Sequence, residues 1–178
     1  MAHQNISKIV QNLSELLTAV EADTEKTTKT LETTSQKQKA AFKDFWYYVD
    51  SYYRDLLFQY NRMRQEGRTE LTVIVDDENN TSYTNFEIKV VYLAKRETIY
   101  VHVNAYDRSS DTMVTCLTAA ESESGVRIDY ESSNLSRKKL AEAIQYIQSG
   151  QFDVDFAKEI QIKCKNILAT NEELRQSA

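Results

Sequence analysis

Residues 99–105 read Ile99-Tyr100-Val101-His102-Val103-Asn104-Ala105, with an apolar side chain at every odd position and a polar or amphipathic one at every even position. Successive side chains of a strand point to opposite faces, so this stretch has one face for a core and one for water. The same period of two runs through Leu71, Val73 and Val75, and through Phe86, Ile88, Val90 and Tyr92. It returns in Met113, Thr115 and Leu117, and again in Val126, Ile128 and Tyr130. The connections are Asp76–Asn80, Lys95-Arg96, Asp107–Asp111 and Glu121–Gly125. All are shorter than the crossover of a dozen or more residues that parallel pairing requires. The expectation is a five-stranded antiparallel meander.

Toward the N-terminus the period becomes helical. From Lys39 to Glu66 there is neither Gly nor Pro, and Phe42, Trp46, Val49, Leu56, Tyr60 and Met63, with Tyr53 between, step by four and three. Phe45, Tyr48, Tyr52 and Leu57 widen that stripe to about 180°, more than the roughly 100° of a surface helix. Such a helix is expected to be covered on two sides. Arg62 and Arg64 suit its negative end, and Gly67 is the expected left-handed residue that stops it.

Further upstream, Ile6, Val10, Leu13, Leu17 and Val20 repeat the alternating steps of four and three, flanked by Ile9 and Leu16. This is a helix with one apolar seam over residues 5–20, with Asn5 as its expected cap. Between the two helical patterns, Glu21–Lys39 is rich in Thr, Lys, Glu and Gln. Threonine loses side-chain freedom in a helix and competes for its backbone hydrogen bonds, so this stretch reads as a frayed helix or hinge. It separates an N-terminal helical segment, 1–35, from an α+β domain, 36–178.

Toward the C-terminus, Ser132-Ser133-Asn134 offers N-caps for a helix marked by Leu140, Ile144 and Ile147 and closed by Gly150. A last helix is expected to begin near Asp153 or Asp155, with Phe156, Ile160, Cys164, Ile167 and Leu174 on one face. Helices come first, strands next and helices last. That is the α+β pattern: two N-terminal helices, a five-stranded antiparallel meander sheet, and two C-terminal helices packed on one sheet face.

The same residues narrow the function classes. The composition, 41% hydrophobic and 28% charged over 178 residues, is that of a chain able to build a core. A net charge of −5 with interspersed signs argues against direct nucleic-acid binding, which needs a concentrated basic surface. The densest basic spots, Arg137-Lys138-Lys139 and the pair Lys163 and Lys165, fall in helices with acids nearby and read as solvated faces. No apolar run of about 20 residues and no secretory core is found, so no membrane association is expected. With only Cys116 and Cys164, a reducing, cytoplasmic location is expected.

Glycine occurs only at 67, 125 and 150, which leaves no glycine-rich phosphate loop. His3, His102 and the two cysteines lack the paired spacing of common zinc sites. The acidic turns lack the spacing of a calcium loop. No catalytic residue, cofactor or metal ligand is therefore expected. Tyr100, His102 and Tyr106 share the polar face of the third strand, a speculative ligand face whose ordinary reading is the wet side of a sheet. Tyr47 and Phe58, eleven residues apart, project within about 20° of each other on the charged side of the second helix, a hint of a contact surface.

The expectation is a non-enzymatic interaction or assembly protein. Its partner, a second copy in a homodimer or another protein, docks on Ile6, Val10, Leu13, Leu17 and Val20, with Tyr47 and Phe58 as a further contact pair; the competing reading is that the first helix folds back on the second as an intramolecular hairpin. One alternative is an acidic inhibitor or adaptor, of the kind a bacterial virus encodes, that occupies a basic surface of a nucleic-acid-handling enzyme. Another is a small-ligand-binding or enzymatic domain using the open sheet face near His102.

Overall fold

Alternation and short turns give a sheet, and the computed structural model, which describes residues 2–77 and 80–178, contains it. The elements are α1 (Ala2–Arg64), β1 (Arg68–Asp77), β2 (Asn80–Leu93), β3 (Thr98–Asp107), β4 (Thr112–Ser122), β5 (Gly125–Tyr130), α2 (Asn134–Gln148) and α3 (Gln151–Ser177). Glu78 and Asn79, from the acidic turn between the first two strands, lie outside the described residues. The chain divides into two units, Met1–Lys37 and Gln38–Ala178.

In the second unit the sheet order is β1-β2-β3-β4-β5, each neighbour antiparallel. Residues opposite each other on antiparallel strands share a face. One row therefore crosses the whole sheet on the core side: Val73, Ile88, Val103, Leu117 and Tyr130. Leu71, Val90, Val101, Ala119 and Ile128 form the next row. Leu140 and Ala143 of α2 and Phe152 and Phe156 of α3 join these side chains in one hydrophobic cluster, together with Phe42, Trp46, Val49 and Leu57 of α1. The class is α+β.

Four details depart from the expectations. The alternation of Met113, Thr115 and Leu117 breaks inside β4, because Val103 pairs with Leu117 while Asn104 pairs with Thr115, leaving Cys116 as a bulge. Val114, opposite Ala105, and Leu117 then face the core, and Met113 and Thr115 are exposed. Secondly, the two expected N-terminal helices are one: α1 runs unbroken through the Thr-rich stretch, so the described residues hold three helices and not four. The threonine hydroxyls that were expected to disrupt it donate instead to carbonyls one turn back. Thr28 donates to Thr24 O and Thr30 to Lys26 O at 3.0 Å, and Thr33 to Lys29 O at 2.9 Å.

Thirdly, the helix limits move. Asn5 lies inside α1 and caps nothing, and the left-handed residue past the end of α1 is Gln65, with φ 55, rather than Gly67. α2 begins as expected, with Ser133 accepting from the Ser136 amide, and Gly150 at φ 81 makes the turn into α3. α3 starts at Gln151, so Asp153 and Asp155 sit within its first turns. Finally, the wide stripe of the second helical pattern is covered on two sides, by the sheet at Trp46 and by α3 at Phe45 and Tyr53, but not across its full width. Phe42, Phe45, Trp46, Val49, Leu57 and Tyr60 are buried, but Tyr52 and Met63 are 71% and 61% exposed.

Buried polar contacts fix residues 38–64 on the sheet and on α2. The Trp46 indole donates to Ile99 O at 2.9 Å. Gln38 donates to Arg137 O at 2.8 Å and accepts from the Tyr130 hydroxyl at 2.9 Å. Asn61 donates to Thr69 Oγ1 at 3.0 Å. Each satisfies a group whose burial alone would be costly.

Candidate protein-interaction surface

The first unit has no buried residue among those described: every position from 4 to 34 is exposed. Within it, Ile6, Ile9, Val10, Leu13, Leu16, Leu17 and Val20 are between 53% and 64% exposed. A stripe of large apolar side chains repeating every three or four residues is what a helix normally buries. Most helical stability in proteins comes from such burial rather than from propensity, and this segment carries β-branched residues that add little propensity of their own. The polar flanks are almost uncharged, with Lys8 and Glu15 as the only ionic side chains between 4 and 20. Gln11 donates to Glu15 at 3.2 Å. A partner on this seam would be recognised by apolar shape and not by charge.

Tyr47 and Phe58, 45% and 44% exposed, belong to the second unit. Tyr47 is engaged there: its ring meets Trp46 edge-on at 5.3 Å, and its hydroxyl lies 3.7 Å from where a Cβ would stand on Gly125.

On the outer sheet face, Thr72, Lys89, His102, Thr118 and Asp129 form one cross-strand row. His102 Nδ1 is 3.0 Å from Thr118 Oγ1, and the Tyr100 ring stacks nearly parallel to the imidazole at 6.4 Å. Burial first, then Lys89 and Arg68, hold His102 below its ordinary range, so it is neutral at pH 7. Tyr106 stands opposite Met113, four residues beyond His102 on the same strand. Asn104 donates to Glu87 at 2.8 Å, and its Oδ1, alone among the described buried side-chain oxygens and nitrogens, has no partner. The face is a hydrogen-bonded polar lattice.

Among the grooves of the second unit, two are the most substantial. One, of about 850 Å³, runs between β1 and α3 beside Ile74 and Ile162; Arg68 and Lys158 face it together with Glu70 and Glu159. Its lining thus carries both signs of charge. The other, of about 500 Å³, is lined by Phe45, Tyr48, Ile144, Ile147 and Phe152, with Asp153 alongside. Its polar chemistry is internal: the hydroxyls of Tyr48, at 2.7 Å, and of Tyr53 both donate to Asp153 Oδ1. Burial and that carboxylate push the Tyr48 phenol up to about 12 and raise Tyr53 further. Tyr146 donates likewise to Asp155 at 2.7 Å, and this bond is the main reason Asp155 lies below the ordinary carboxylate range.

Sequence reasoning missed both tyrosine–carboxylate contacts, reading Asp153 and Asp155 only as partners of a helix dipole. Cys116 and Cys164 are both free thiols. Among the described residues no three His, Cys, Asp or Glu side chains converge as a metal site. None of the described helices is long and apolar enough to cross a membrane. No protein-family model, curated protein or solved structure matches the chain. The class rests on the fold itself, an α+β chain with a five-stranded antiparallel sheet and a helix carrying an unpartnered apolar seam.

Proposed function

We propose that this chain is a non-enzymatic assembly or docking protein that binds its partner through the α1 seam from Ile6 to Val20. The observation that carries this reading is the exposure of seven large apolar side chains on one repeating line. Contiguous apolar patches beyond a few hundred Å² mark interaction sites in soluble proteins. Burying a Leu or Ile side chain contributes about 1.5–3 kcal/mol, so two or three of them dominate such an interface. The near-neutral flank favours this reading over a charge-led inhibitor.

The test compares sedimentation of the full chain, a chain lacking residues 1–33, and the full-length Leu13→Ser/Leu17→Ser double variant. Both substituted side chains are exposed and outside the core cluster, so the variant should fold. The expected result is a complex, with itself or with a captured partner, that only the full wild-type chain forms. Association that survives in the double variant would sink the proposal.

A further inference from the structure

The spacing of the seam bears on what covers it. Steps of four and three assign the heptad: Val10 and Leu17 take position a, and Ile6, Leu13 and Val20 take position d. Ile9 and Leu16 then fall at g, and both are more than half exposed. A two-stranded coiled coil buries a and d and leaves g at its wet rim, usually as a charged residue. A helix apolar at a, d and g has the wider face of a four-helix bundle. We infer that the seam assembles four copies of this chain through a bundle of their α1 segments around residues 6–20.

One observation argues for copies of the same chain rather than a different protein. Charges at e and g choose between partner helices and set their pairing. Over this stretch e is Ser7 and Ser14 and g is Ile9 and Leu16, so no charge is placed to select an unlike chain. The area is also sufficient. At the exposures observed, the seven side chains offer roughly 700 Å² of apolar surface per copy, close to the about 800 Å² per partner of a standard stable interface. Beyond Val20 the a and d positions become Thr24 and Thr27, which ends the strongly apolar layers and confines the bundle to the first part of the helix.

This inference rests on the seam being the interaction surface, and the experiment separates the two. Sedimentation equilibrium of the full-length chain over a range of concentrations is expected to give four times the 20.6 kDa chain mass. The Ile9→Ser/Leu16→Ser variant, altered only at g, is expected to fall to two copies, and Leu13→Ser/Leu17→Ser to one. Unchanged Trp46 emission serves as the control for an intact core. A wild-type dimer or monomer overturns the four-copy bundle, the dimer doing so without touching the docking reading. A tetramer that persists in the Leu13→Ser/Leu17→Ser variant overturns the docking reading as well.

Discussion

Asp153 is the residue on which most of the polar order between α1 and α3 converges. Two phenols, from Tyr48 and Tyr53, share one of its oxygens, and the Phe45, Phe152 and Phe156 rings pack beside them. Replacing it with Ala leaves both hydroxyls half-buried without their acceptor, and urea denaturation should register a loss of about 1–3 kcal/mol. Burial of Tyr48, reinforced by the same contact, makes stability depend on alkaline pH. The Tyr48 phenol rises from 10.0 to about 12 on folding, so between those values the folded chain holds a proton that the unfolded chain has lost. Its contribution is complete below pH 10 and disappears as pH rises toward 12. The melting temperature should therefore fall over that window, less steeply in Tyr48→Phe. None of this was legible beforehand, because Tyr48 and Asp153 are 105 residues apart and a carboxylate in a first turn already has a local explanation.

At the scale of elements, local pattern served where one strand or helix decides its own conformation and failed where a neighbour decides it. The alternation in β3 survives intact, buried at each apolar position from Ile99 to Ala105. The phase of β4 does not, since the bulge at Cys116 is a property of its pairing with β3. The Thr-rich stretch was misread for a different reason: threonine's hydroxyl can oppose a helix or bond within it, and here it bonds within it. The end of α1 offers a direct test. Gln65 holds a left-handed φ of 55, a region that costs a residue with a Cβ, while Gly67 is not among the residues of positive φ. Gln65→Gly should stabilise the fold by about 0.5–1 kcal/mol or be neutral, and Gly67→Ala should cost less than substitution at Gly150, all read from thermal melts.

For the whole molecule, the hydrophobic cluster draws every member from Gln38–Ala178 and none from Met1–Lys37. Deleting residues 1–37 should shift the melting temperature of the remaining unit by less than about 2 °C, measured at a concentration where the full chain is a single species. The apolar seam from Ile6 to Val20 was readable from spacing alone. Its lack of a cover within the chain was not, because a seam of that kind is equally consistent with a hairpin folded back on the second helical pattern. The meander order carries a last consequence for assembly. Its two edges are β1, against which α3 packs, and β5, only six residues long and bearing Arg127 and Asp129 as a 2.8 Å ion pair. Neither edge invites strand addition from another molecule. Crowding this protein should accordingly not yield fibrils that bind amyloid dyes.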